Sequence, residues 1–182
     1  MLQIVVPKRE YFDDYKQEFV YYPQRTLNLE HSLLSISKWE SKWKRPFLSK
    51  GPSNYDESVD YIRCMTINTQ VAEDAYIGLT REHFNQVTQY IDDSMTATWF
   101  SESKNKPMGK RGQVVTSELI YYWMIALNIP FECQKWHLNR LLTLIRVCEI
   151  KNTPSQKMKK KDIYARNKAL NSARKRSLGT NG

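Results

Sequence analysis

The spacing of apolar and polar positions changes several times along the chain, and each change marks an element. Leu2 to Val6 is a short run rich in β-branched residues that stops at Pro7. Phe19-Val20-Tyr21-Tyr22 and Thr26-Leu27-Asn28-Leu29 flank Pro23-Gln24-Arg25, which predicts two strands joined by a hairpin turn. Leu27 and Leu29 alternate with Thr26 and Asn28, so this last strand should bury one face. Between the strands, Glu10 to Lys16 is charged and aromatic and reads as a loop or a short helix.

From about residue 31 the period lengthens to three and four. Leu29, Leu33, Ile36, Trp39 and Trp43 form one helical stripe, ended by Pro46. Asn54 followed by Glu57 predicts a capping box for a helix carrying Tyr55, Val59, Ile62 and Met65. A third helix is expected from Thr80, with Phe84, Val87 and Ile91 inward. Acids at a helix C-terminus oppose the macrodipole, so Asp92 or Asp93 should lie outside it or cap something else. Residues 101–113, with Pro107, Gly109 and Gly112, read as an exposed loop.

Thr116 or Ser117 then caps the most apolar stretch, Leu119 to Leu127. It is hydrophobic almost all round, which predicts burial on most sides. Pro130 opens a further helix whose stripe is Leu138, Leu141, Leu142, Ile145 and Cys148. The pair 117–128/131–150 is expected to form the antiparallel centre of the core. The predicted class is mainly α with a small N-terminal β element (α+β). One globular domain spans 1–152, hairpin-like over 1–30 and helical over 31–152. A basic tail with a short helix follows over 153–182, its stripe running Ile163, Arg166, Leu170 and Ala173, and Leu178 to Gly182 is expected to be disordered.

The charge sharpens that division. The formal net charge is +9, yet residues 1–150 carry 18 Lys+Arg and 18 Asp+Glu, while residues 151–182 carry ten basic residues against Asp162 alone. The whole imbalance belongs to the tail. Hydrophobic residues at 41 % exclude a wholly disordered chain. No apolar run approaches the roughly 18–20 residues that span a bilayer, so no membrane partner is expected. The N-terminus has neither a basic start nor a small-residue cleavage site, which argues against a secretory signal. Cys64, Cys133 and Cys148 form no even framework and suit free thiols in a reducing compartment.

Catalytic chemistry has little to stand on. There is no Gly-rich phosphate loop after a strand, no G-x-S-x-G and no H-E-x-x-H. Cys133 and His137 share the i, i+4 spacing of a metal pair, but a tetrahedral site needs two more ligands, and no C-x-x-C is present. Neighbouring carboxylates such as Asp13-Asp14 and Asp56-Glu57 would face apart on a helix. The expectation is a non-enzyme without metal or cofactor. Aromatic residues set among cations are instead an interface composition. Trp39 and Trp43 lie among Lys38, Lys42, Lys44 and Arg45, and Trp99 and Trp136 lie in or beside helices, whereas Trp123 suits the core. The tail adds Lys157, Lys159, Lys160, Lys161, Arg174, Lys175 and Arg176. They suit an acidic protein surface or weak, non-specific nucleic-acid contact, because Tyr164 alone gives no stacking platform.

Several segments carry a resemblance. They are Glu30-His31-Ser32-Leu33-Leu34-Ser35-Ile36-Ser37-Lys38-Trp39-Glu40, Met95-Thr96-Ala97-Thr98-Trp99-Phe100 and Ser117-Glu118-Leu119-Ile120-Tyr121-Tyr122-Trp123-Met124. Ile129-Pro130-Phe131-Glu132 and Trp136-His137-Leu138-Asn139-Arg140-Leu141-Leu142-Thr143-Leu144-Ile145 belong with them. Together they resemble the tail assembly chaperones of tailed bacteriophages over roughly residues 28–152, with a weaker likeness at Leu170-Asn171-Ser172-Ala173-Arg174. The resemblance implies a non-enzymatic helper in the host cytoplasm. Such a helper binds the tape-measure protein while tail-tube subunits polymerise around it, and is absent from the finished virion. A homo-oligomer is compatible with it. The basic C-terminus departs from what a chaperone requires. It also fits a structural virion component such as a head–tail connector, or a nucleic-acid-binding phage protein.

Overall fold

A computed structural model describes residues 1–69, 71–100, 114–152 and 160–179. The expected loop over 101–113, together with Lys157 and Lys159, lies outside the described residues. Residues 1–149 form one compact unit and residues 150–182 a second. The architecture is mainly α with a small N-terminal β element, as the hydrophobic periods indicate.

The β element is wired differently from the sequence expectation. Strand β1 (Leu2–Val6) pairs antiparallel with β4 (Arg25–Leu29), Leu2 opposite Leu29 and Ile4 opposite Leu27. Strands β2 (Arg9–Asp13) and β3 (Glu18–Tyr22) form a second antiparallel ladder, Arg9 opposite Tyr22 and Asp13 opposite Glu18. The stretch Glu10 to Lys16 is therefore strand and turn, not a loop or helix. The turn is held by Asp13, whose Oδ1 accepts from the N–H groups of Tyr15 at 3.0 Å and Lys16 at 3.2 Å. Nor is Pro23-Gln24-Arg25 a hairpin turn. Pro7 and Pro23 lie in the gap between the two ladders, and because proline has no N–H to donate, hydrogen bonding is interrupted there. Ile4, Val6, Leu27 and Leu29 give β1 and β4 one buried face, as the alternation predicts, whereas β2 and β3 bury none.

Helix α1 (Leu33–Trp43) starts where Ser32 can cap it: the Ser35 N–H donates to Ser32 Oγ at 3.2 Å, and the Ser32 N–H to Ser35 Oγ at 2.9 Å. It stops three residues before Pro46, with Lys44 in the left-handed conformation at φ 53°. Helix α2 (Tyr55–Met65) forms only half of the expected box: Asn54 Oδ1 accepts from the Glu57 N–H at 2.8 Å, while the Glu57 carboxylate accepts from the Ser53 N–H at 2.8 Å and the Asn54 side-chain amide at 3.1 Å. Helix α3 (Arg81–Asp92) follows Thr80, and Asp93 lies just outside it, as expected, accepting from the Met95 N–H through Oδ1 at 2.9 Å. Helix α4 is Ser117–Ala126 and helix α5 Leu138–Asn152, with a 3-10 turn over Phe131–Lys135 between them.

That turn corrects the helix predicted from Pro130. Residues Trp136 and His137 are extended because His137 bridges to Ser32, and the Leu138 N–H donates to the His31 carbonyl at 2.7 Å. Helical bonding can resume only at Leu138. The centre of the core accordingly is α1, which packs against α2, α4 and the 3-10 turn, rather than a pair formed by residues 117–128 and 131–150. Leu33, Ile36 and Trp39 of α1 meet Leu29, Ile62, Met65, Ile120, Met124, Leu138 and Leu141, all without solvent access or nearly so. Burying each such side chain contributes about 1.5–3 kcal/mol.

Two polar details join the elements. Glu40 of α1 is buried and accepts from the Phe47 N–H at 2.7 Å through one oxygen and from the Ser117 N–H at 2.8 Å through the other. A carboxylate at that place satisfies an N–H at the start of α4 that the helix itself cannot. At Gly78 a Cβ would come 2.4 Å from Val6 Cγ1, so only glycine lets this turn approach the end of β1.

The second unit contains helix α6 (Lys160–Leu178). Ala165, Ala169 and Ala173 favour a helix, and Arg174, Lys175 and Arg176 sit at the end where the macrodipole favours cations. Gly179, at φ 63°, closes it in the left-handed conformation typical of a helix-ending glycine. Leu178 thus completes a helix and does not begin the disordered end that its composition suggests.

Candidate interaction surface

The groups with potential reactivity are spent on structure. His137 uses both ring nitrogens: Nε2 donates to the Tyr90 carbonyl at 2.9 Å and Nδ1 accepts from the Asn139 N–H at 3.3 Å. With both ring nitrogens so engaged, no lone pair is left for a metal. Among the described residues no group of three or more His, Cys, Asp or Glu side chains could hold a metal ion. Burial pushes the Cys64 thiol up to about 11, with the Asp60 carboxylate adding to it. Burial, followed by Glu132, also raises the Cys133 thiol. Neither is a ready thiolate at neutral pH.

A pairing that spacing does not reveal lies inside the core. The rings of His31 and His137 stand 5.1 Å apart, edge to face, although 106 positions separate them (137 − 31). His31 Nδ1 meets the Tyr61 hydroxyl at 2.5 Å. Burial, and then the neighbouring His137, lower the His31 imidazole to about 3, so it is neutral at physiological pH. The pair serves packing, at the place where the chain segments around residues 31 and 137 are joined.

The cation-rimmed tryptophan edge is reorganised. Trp39, expected at a partner surface, is 0 % exposed and belongs to the core. Its Nε1 donates to the Glu57 carbonyl at 3.2 Å and the Arg45 guanidinium lies 5.4 Å from its ring. Trp39 falls on the same stripe as Leu33 and Ile36, and that spacing decides its fate over the lysines beside it. Trp43 is half-buried and lines a cleft of about 510 Å³ with Lys42, Tyr55, Asp60, Arg63 and Tyr76. Asp60 within this cleft is already engaged, by Trp43 Nε1 at 2.8 Å and by an ion pair with Lys42. Glu57 is likewise occupied. The Ser53 N–H and the Arg45 guanidinium hold its carboxyl below the usual range, against the opposing effect of burial.

Trp99 is 94 % exposed. Trp136 is half-buried, with the Arg140 guanidinium 4.3 Å above its ring. Lys160 and Lys161 fall in the first turn of α6, and Arg174, Lys175 and Arg176 are exposed on its last turns. The sequence candidates are therefore not gathered into one site.

Helix α4 offers a surface that the sequence reading placed in the interior. Expected to be buried on most sides, it buries only Ser117, Ile120 and Met124. It packs on α1, and Glu118, Tyr122, Ile125 and Ala126, away from that contact, are exposed. Tyr122 is 63 % exposed and Ile125 61 %, while Leu119, Tyr121 and Trp123 are half-buried. Phe131, 52 % exposed, follows in the 3-10 turn, its ring 6.3 Å from that of Tyr121. Tyr121 is fixed by its hydroxyl, which donates to Gln134 Oε1 at 2.8 Å. Glu118 is the one charged residue of this helix. Tyr122 and Ile125, one turn apart, are therefore presented on a rigid helix with aromatic flanks, the makings of a docking face.

No family model matches this chain, and no match was found among curated proteins or solved structures. Among the described residues no helix is long and apolar enough to cross a membrane.

Proposed function

We propose that this protein is a non-enzymatic assembly factor for phage tails, a chaperone that holds the tape-measure protein in the host cytoplasm during tail morphogenesis. The observation that carries the reading is the apolar face of α4, with Tyr122 and Ile125 open to solvent and Phe131 beside them. The resemblance to tail assembly chaperones, carried in part by the residues Ser117 to Met124 of that helix, supports it. A long helical partner would lay an apolar stripe against α4, with anchors at i, i+3, i+4 and i+7. The work of such a protein is reversible contact, and His137, Cys64 and Cys133 are engaged or inert in keeping with that.

Co-expression with the tape-measure protein of the same phage, followed by pull-down, tests the proposal. Retention of the wild-type chain, lost in the Tyr122→Glu/Ile125→Lys variant, is expected. No retention of the wild type at low salt overturns it. A second reading, a structural virion component such as a head–tail connector, is favoured by the exposed basic helix α6. Mass spectrometry of purified virions separates the two: a chaperone is nearly absent, a connector is stoichiometric.

A further inference from the structure

The ribbon formed by β2 and β3 is two-stranded, and none of its residues is buried, although Asp13, Val20 and Tyr22 on one face are half-covered. One face carries Glu10, Phe12, Phe19 and Tyr21, the Phe12 and Phe19 rings in edge contact at 5.0 Å. The other carries Arg9, Tyr11, Asp13, Glu18, Val20 and Tyr22. A hairpin on its own is marginal in water, and three or more strands are needed for a stable sheet. Each edge also presents unpaired backbone N–H and C=O groups, a template for another strand.

The β2 edge matches itself. In an antiparallel pair about a twofold axis normal to the sheet, facing residues must lie on the same face, so the register moves in steps of two. With Tyr11 on the axis, Arg9 faces Asp13 of the second copy at both ends, and Glu10 faces Phe12. One step toward the N-terminus puts Glu10 against Glu10. One step the other way puts Glu10 against Asp14. Of these three, only the register centred on Tyr11 brings opposite charges together, and centring on Arg9 sets Arg9 against itself. The β3 edge has no such match, since centring on Val20 sets Glu18 against Tyr22 and pairs no charges. The participating groups are available: among the described residues Arg9 makes no ion pair, and Asp13 uses Oδ1 in its turn, leaving Oδ2.

We infer that the β2 strand pairs with β2 of a second copy of this chain, antiparallel about Tyr11, joining two ribbons into one four-stranded sheet. The pairing is independent of α4 and of the tape-measure reading. It leaves α4 free in both copies to bind a partner.

Sedimentation of the full-length chain over a range of concentrations tests it. The wild type should show a monomer–dimer equilibrium, which Arg9→Lys preserves. Arg9→Glu places like charges at both ends and should weaken the dimer by about tenfold or more. Register is read separately by mild oxidation. Tyr11→Cys should form an intermolecular disulfide well above the wild-type baseline set by Cys64, Cys133 and Cys148, because directly opposed positions lie about 4.5–5.5 Å apart. Glu10→Cys, whose counterpart is Phe12, should not. A chain that stays monomeric, a dimer indifferent to Arg9→Glu, or equal cross-linking at positions 10 and 11 overturns the inference.

Discussion

Glu40 shows how one side chain can set the geometry between elements. Its two oxygens satisfy the Phe47 and Ser117 N–H groups, one at the turn after α1 and one at the start of α4. Glu40→Ala leaves both donors buried and unpaired, and is expected to cost about 2–6 kcal/mol in urea unfolding, at roughly 1–3 kcal/mol per group. Glu40→Gln keeps one acceptor and should cost about half. His31 makes a pH-dependent contribution. Its folded value near 3 lies below the ordinary 6.5, so the unfolded chain binds more protons between the two. Stability is therefore full above pH 6.5 and falls as the pH drops toward 3, by about 2 kcal/mol between pH 7 and pH 5. Unfolding measured at the two pH values checks this, and His31→Gln should remove that part of the difference. Gly78→Ala forces a methyl group against buried Val6 and is expected to cost about 1–3 kcal/mol, read from the unfolding midpoint.

At the scale of elements, local chemistry was legible and neighbourhood was not. The caps Asn54 and Thr116 and the start at Thr80 mark their helices because a helix start needs a nearby acceptor, whereas the Ser32 cap went unread, and Leu33, Ile36 and Trp39 announce a buried stripe by their spacing. Trp39 itself was misplaced at a surface because its lysine neighbours point elsewhere on the same helix. The strand β2 was hidden because its alternating residues are charged or aromatic on both sides, so no apolar period of two appears. The pairing of β1 with β4 spans the whole ribbon and depends on residues far apart in the chain. The exposure of α4 could not be read either, since an apolar helix looks the same whether its far side meets a neighbour or awaits one. For that reason Tyr122→Glu and Ile125→Lys should each leave stability within about 0.5 kcal/mol of wild type while abolishing partner retention, a separation that buried Ile120 cannot show.

Over the whole molecule, the charge asymmetry follows the two units. The unit of residues 1–149 contains the apolar core and the α4 face, whereas that of residues 150–182 presents exposed basic side chains on α6. Deleting residues 153–182 is expected to leave the thermal midpoint of the remaining chain unchanged. Any affinity of the full chain for duplex DNA should disappear with the tail and, before deletion, fall steeply as salt rises, measured by filter binding.

The joint at residues 29–32 carries a consequence for synthesis. Glu30 donates to the Met65 carbonyl, Leu29 bridges to Thr66, and the His31 carbonyl receives the N–H of Leu138, about 100 residues downstream. On a ribosome adding about 5–20 residues per second, the first of these closures is open to the nascent chain many seconds before the last. During roughly 4–14 seconds, Leu29, Leu33 and Ile36 have only part of their final cover, and the core-facing side of α1 is open to other proteins of the cell. The late arrival of Leu138 at the start of α5, more than the stability of any one helix, then sets when a newly made copy becomes safe from aggregation.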